Sequence, residues 1–165
     1  MWHTQQETPS LNDDAIGIPI LLFRIGTLRS ALFLDCVVQV FDAVEVGDFP
    51  DSLPKDVLGL INIRGMKIPL VDIRRRWGLP GGKVQLSNQL IVIESEGINL
   101  SIIVDEVIGT RNIPLQKIIH LRDLLPEFSP HMAISDLDGI LMLLDSEHLF
   151  STNEFDELKS WLEEQ

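Results

Sequence analysis

The sequence predicts an all-β protein, one barrel or a pair of barrels, finished by a C-terminal helix. Three observations carry this. Short apolar runs rich in β-formers recur along the chain, each bounded by Gly, Pro or Asp-Gly turn signals. Only Ser151–Gln165 shows a clear helical period. A hairpin pattern at Ile20–Leu34 returns at Gln89–Val104 without a strict sequence repeat, which supports two similar barrels.

Residues 1–17 are polar, aperiodic and carry Pro9, and are expected to be a flexible tail. The runs "PILLFRIG" and "RSALFLDCVVQVF" flank Gly26-Thr27-Leu28 and read as a hairpin. Residues Val44–Asp56 contain Gly47, Pro50 and Pro54 and read as a loop. "VLGLINIRGMKIPLVDI" reads as two strands about an Arg64-Gly65 turn, with Gly65 supplying the positive φ. Pro69 has no N–H for a ladder, so its strand is expected at an edge or at a bulge. "DIRRRWG" fits one helical turn ended by Gly78, and "LPGGK" fits a linker, since no phosphate-loop pattern surrounds its glycines. "NQLIVIESEGINLSIIVDEVIG" repeats the hairpin pattern with a turn at Glu96-Gly97, and "MAISDLDGILMLLDS" repeats it with a turn at Asp138-Gly139. "TRNIPLQKIIHLRDLLPEFSPHM", between them, is mixed. In the last segment Ser151 and Glu154 fit a capping box, and Phe155, Leu158 and Leu162 line one helix face. The expected organisation is a tail at 1–17, a two-barrel domain at 18–150 and an acidic amphipathic helix at 151–165.

With 165 residues, 45% hydrophobic and 23% charged, the chain can bury a core without staples. The lone Cys36 excludes an intramolecular disulfide, fits a reducing compartment, and is expected to be a small buried hydrophobe. No apolar run is long enough to span a bilayer, and the N-terminus lacks a signal-peptide pattern, so a cytoplasmic location is expected. A net charge of −12 disfavours nucleic acid and anionic membranes. The charge is uneven. Between Ile63 and Lys83 lie Arg64, Lys67, Arg74, Arg75, Arg76 and Lys83 against Asp72 alone, whereas Asp145–Gln165 carries seven acids against Lys159. This suits steering toward a protein partner, or the two regions facing each other.

No catalytic or metal constellation stands out. His3, His120, His131 and His148 form no i, i+4 pair and no Cys-His cluster, and no GxSxG is present. Asp105-Glu106 reads as a solvated strand end, because no calcium-loop pattern surrounds it. The expectation is no enzyme, no cofactor and no metal. Binding residues are clearer. Arg64 at a hairpin tip offers a planar fork to a carboxylate, and Ile68 and Leu70 beside Pro69 could dock against another sheet. A base-stacking barrel is the competing reading, but aromatics are 6% and Trp2, Trp77 and Trp161 lie far apart.

"LGLINIRGMKIPLVDIRRRWGLP" resembles the signature of the CheW-like family, adaptor modules of bacterial chemosensory arrays. "IIVDEVIG" and "ISDLDGILMLLDSEHLF" resemble two further blocks in the family's order, so the resemblance covers about Ile18–Phe150. It implies two packed SH3-like five-stranded β-barrels with a short connecting helix and a C-terminal helix. It implies a non-catalytic scaffold joining the regulatory domain of the histidine kinase CheA to the cytoplasmic tip of methyl-accepting chemoreceptors, beside membrane-bound receptor arrays. Carried over by position, Val37, Gln39, Gly59 and Arg64 would face partners, Val104 and Asp105 would mark the second barrel, Asn62 and Gly65 would build the turn, and Asp72 would hold backbone or a nearby Arg. Many members carry an acid where this chain has Gln39, and that acid can pair with the residue matching Arg64. A neutral Gln39 makes a weaker bond and leaves Arg64 freer to meet an acid on a partner. The alternative within the family is a regulator of a pilus- or motility-linked chemosensory system that binds only kinase or only receptor.

Overall fold

The computed structural model describes residues 17–43, 46–47, 56–80, 84–121 and 132–164. The expected tail at 1–16, most of the 44–56 loop, the Gly81–Lys83 linker and His131 lie outside them. Eleven strands run in chain order: β1 (Ile18–Ile25), β2 (Leu28–Phe33), β3 (Val37–Asp42), β4 (Val57–Ile63), β5 (Met66–Val71), β6 (Gln89–Ser95), β7 (Ile98–Val104), β8 (Glu106–Ile113), β9 (Ile118–His120), β10 (Met132–Asp136) and β11 (Gly139–Leu144). The α-helices among the described residues are α1 (Ile73–Arg76) and α2 (Thr152–Glu163). The strands make a six-stranded sheet, β8-β1-β2-β11-β10-β9, and a five-stranded sheet, β3-β6-β7-β5-β4. The mostly-β class with two sheets and few helices is as the sequence predicts, with one sheet a strand larger than five.

The chain folds into two compact units. One holds β1, β2 and β8–β11; the other holds β3–β7, α1 and α2. In the first, Ile20, Leu22, Ala31, Ile113, Ile134, Leu141 and Leu143 form a buried cluster. In the second, Ile61, Ile68, Leu70, Leu90, Val92 and Ile103 do so. The two sheets share a plan. Hairpin β1–β2 meets hairpin β10–β11 through a parallel β2–β11 pair, and hairpin β6–β7 meets hairpin β4–β5 through a parallel β7–β5 pair. Ser30 faces Met142 in one and Ser101 faces Leu70 in the other, both serines fully buried. After β5 and again after β11, an aspartate of the second unit caps a short helix. Asp72 accepts from the Arg74 N–H, and Asp145 from the Glu147 N–H.

Four local expectations differ. "RSALFLDCVVQVF" is not one strand: a 3-10 turn at Leu34–Cys36 breaks it, and β2 and β3 join different sheets. Cys36 sits at this turn and is half-buried, not a core residue. Pro69 is not on an edge strand, since β5 lies between β7 and β4. It is tolerated because the β5–β7 ladder begins only at Leu70. The last hairpin turns at Leu137-Asp138, with Gly139 already paired to Asp136 as the first residue of β11.

The second unit is tied together by Arg76. Its Nη2 donates to Glu154 Oε2 at 2.5 Å, its Nε lies 2.5 Å from Asp56 Oδ2, and its guanidinium sits 4.4 Å above the Phe150 ring. Phe150 meets Phe155 edge-on at 5.4 Å, and Phe155 and Leu158 are buried. Ser151 accepts from the Glu154 N–H while Glu154 accepts from the Ser151 N–H, which completes the capping box and starts α2 here. Burial is the largest influence on the Asp56 carboxyl and raises its pKa above the ordinary 3.8; Arg76 opposes this, and Glu154 adds to it.

Two outcomes follow from this packing. A Cβ on Gly59 would overlap the Gly47 carbonyl oxygen and Val46 Cγ1, where Gly47 pairs with Leu60. Gly59→Ala should therefore cost about 1–3 kcal/mol, read as a lower urea midpoint at unchanged slope. Asp56 binds its proton more tightly folded than unfolded. Its contribution is most favourable below the ordinary value of 3.8 and is lost as pH rises through the raised pKa. Asp56→Asn should thus cost little, or stabilise, at pH 7, and the balance should move toward wild type as pH falls to about 4. Urea unfolding at both pH values checks this, and a large loss at pH 7 would show that pairing with Arg76 outweighs burial.

Candidate docking surface

The β4–β5 hairpin builds the most exposed part of the signature region. Arg64 has φ 52° and Gly65 φ 86°, the pattern of a tight turn with both central residues left-handed. Gly65 adopts this freely, whereas Arg64 carries a cost of about 1–2 kcal/mol. The turn is held by Asn62, whose Oδ1 accepts the Gly65 N–H at 2.8 Å. The β6–β7 turn repeats the geometry at Glu96 (φ 51°) and Gly97 (φ 82°). Between these hairpins lies a groove of about 480 Å³, bordered by Met66, Lys67, Glu94, Ile98, Asn99 and Leu162. Met66 is 55% exposed, and its sulfur accepts from Asn99 Nδ2 at 3.7 Å. Arg64 and Lys67 are exposed and make no hydrogen bond or ion pair with any described residue.

The rest of the basic run is not a free docking face. Asp72, fully buried, accepts from Arg74 through Nε at 2.9 Å and Nη2 at 3.2 Å, and lies 3.9 Å from Arg75 Nε. The hydrogen bond to Asp72 holds Arg74 still more firmly protonated. Arg76 is spent on Asp56 and Glu154. Basic run and acidic tail thus meet directly, one of the two outcomes the charge pattern allowed. Lys83 lies outside the described residues.

The expected site residues separate into three groups. Arg64 and Gln39 are exposed and Val37 is half-buried, with Val37 and Gln39 on the edge strand β3. Asn62 and Gly65 hold the turn, and Asp72 caps α1. Ile68, Leu70 and Val104 are 3%, 0% and 2% exposed. Their side chains are core, so the expectation that they touch a partner is corrected. Pro69 suggested an edge, but the β7 strand covers β5. Gly59 is buried and serves close backbone approach rather than contact. Asp105 is half-buried and accepts from Asn88 Nδ2 at 3.3 Å. It lies in the same unit as Arg64, at the bend where the chain passes from β7 to β8. Gln39 lies on β3 and Arg64 in the turn after β4, strands at opposite ends of the sheet order, and the two are not hydrogen-bonded.

Sequence reasoning missed Asn88, which is buried, accepts the Gln85 N–H at 2.7 Å and offers its own carbonyl to the Ala43 N–H. An Asn just before an apolar strand was the available signal. It also missed the groove position of Leu162, although the i, i+4 spacing from Leu158 placed it on the inward face. Among the described residues no three His, Cys, Asp or Glu side chains gather as a metal site would need. His148 Nδ1 meets Asp145 Oδ2 at 2.5 Å.

Comparison with known proteins accords with this arrangement. Residues 19–154 match the CheW-like domain. Relatives include the chemotaxis protein CheW of Rhizobium meliloti (strain 1021), 23% identical over 141 residues, or 84% of this chain and 90% of that protein. The chemotaxis protein CheW of Klebsiella aerogenes is 25% identical over 154 residues, 87% of this chain and 88% of that one. That of Bacillus subtilis (strain 168) is 36% identical over 93 residues, 54% and 57% of the two. The crystal structure of the scaffolding protein TtCheW from Thermoanaerobacter tengcongensis shares the fold, with a TM-score of 0.73 at 22% identity over 84% of this chain and 96% of that one. With its signature turn, its two sheets and a match running from residue 19 to residue 154, the chain belongs to the CheW-like domain family.

Proposed function

We propose that this protein is a non-catalytic scaffold of a bacterial chemosensory system, coupling the cytoplasmic tips of chemoreceptors to the regulatory domain of the histidine kinase CheA. The observation that carries this reading is the family match over residues 19–154, whose relatives bear the name of chemotaxis proteins. The geometry supports the same reading. A scaffold needs complementary surfaces and no activated group, and Arg64 is held outward by a costly backbone conformation that serves no internal bond among the described residues. Its guanidinium is suited to a bidentate pair with a carboxylate on a partner. The scaffold works in the cytoplasm beside receptor arrays, and no helix among the described residues is long and apolar enough to cross a membrane.

A second reading is favoured by Gln39. With no acid at that position and no bond to Arg64, the surface differs from that of many family members. A regulator of a pilus- or motility-linked system that engages only kinase or only receptor would account for it.

Calorimetric titration with the regulatory domain of a CheA kinase from the same organism tests the first reading, which requires saturable one-to-one binding. No binding by the folded protein at tens of micromolar would leave the receptor-only reading. Arg64→Glu should weaken binding at least about tenfold, as loss of a charged interface anchor does. Glu is compatible with this backbone, since Glu96 holds the same place in the sister turn. The circular dichroism spectrum and melting temperature should therefore be unchanged. A collapsed fold, or intact binding, would remove Arg64 from the interface. Added salt should slow association if the exposed charges steer it.

A further inference from the structure

The family match ends at Glu154, while α2 continues to Glu163. Its first half is structural, with Phe155 and Leu158 buried in the second unit. One turn later Leu162 is only half-buried, and it borders the groove beside Gly65, Met66, Lys67 and Ile98. Leu162 therefore adds to a contiguous apolar lining with Met66 and Ile98 at the signature turn. We propose that Leu162 and the last turn of α2 form a specificity-determining wall of the docking surface, completing the Arg64 hairpin. The occupant is a partner segment that presents one large apolar side chain with a carboxylate next to it. This rests on the docking role proposed above for that hairpin.

The occupant's chemistry follows from the lining. Met66, Ile98 and Leu162 offer apolar surface that water covers poorly, and a cavity of about 480 Å³ is large enough for a bulky side chain. Methionine adapts its shape to what it meets. Lys67 and Arg64 stand on the β4–β5 side without a partner among the described residues, and call for an acid. Glu94, on β6, lies across the intervening strand β7 and repels an acid laid the other way round. The rim therefore fixes the direction of the bound segment as well as its charge. A second copy of this chain fits less well, because a net charge of −12 opposes self-association.

The test uses the full chain and the same CheA regulatory domain, with wild type, Leu162→Ala, Leu162→Met and Lys67→Glu. Leu162→Ala and Lys67→Glu should each weaken binding by about tenfold with melting temperature nearly unchanged, and Leu162→Met, which keeps the volume, should bind like wild type. Amide exchange in the last turn of α2 and in Gly65–Lys67 should slow on adding the domain. That readout separates contact from a distant structural effect. Wild-type binding that Leu162→Ala leaves intact would overturn this inference and leave the scaffold reading standing. Absence of wild-type binding would overturn both. Concentration-dependent sedimentation lost in Leu162→Ala would assign the groove to a second copy, against the proposal.

Discussion

The second unit depends on one guanidinium. Arg76 closes α1, yet its partners come from the entry to β4 and from the first turn of α2, 78 residues away in sequence for Glu154. An arginine suits this place because its planar group presents edges to two carboxylates and a face to Phe150 at once. The arrangement is not free. Burial, with Glu154, raises the Asp56 carboxyl against the opposing pull of Arg76. What the cluster supplies is position. It fixes where α2 begins, the capping box fixes its register, and Phe155 and Leu158 then fix its inward face. The place of Leu162 at the groove follows from those three constraints.

The same economy of charge explains the docking surface. Of the basic residues clustered in the signature region, Arg74, Arg75 and Arg76 meet acids of the same unit, and Arg64 and Lys67 stand outward. A chain of −12 retains a local positive feature only where the backbone holds it clear of its own carboxylates. The left-handed Arg64 residue does this, with Asn62 bracing the turn from below.

Much of the fold was legible because local chemistry specified it. The turns at Arg64-Gly65 and Glu96-Gly97 need a residue tolerant of positive φ, and glycine marks them. Asp72, Ser151 and Glu154 announce helix starts by the groups they cap. The family's signature residues made the site region legible as a region. What was not legible depended on distant partners. The break at Leu34–Cys36 is marked only by Asp35, a poor strand former in an otherwise strand-like run, and sheet membership is what distinguishes β2 from β3. Pro69 argued for an edge, and the short register of β5 with β7 overrode it, burying Ile68 and Leu70. The arginine pairings could not be read either, since Coulomb attraction selects partners by space and not by spacing.

The interleaving of the two units bears on how the chain comes to be folded at all. The five-stranded sheet has every strand once residue 104 has been synthesised. The six-stranded sheet does not, because Ala31 waits for Leu143 before its parallel neighbour exists. A nascent chain therefore carries an unfinished first hairpin, apolar on its open side, through most of its synthesis. Of the strands of that sheet, β2 waits longest for its second neighbour, and pairing across so long a stretch of chain carries a large loop-closure cost. The sheet that β1 and β2 begin is thus completed only by β11, far along the chain.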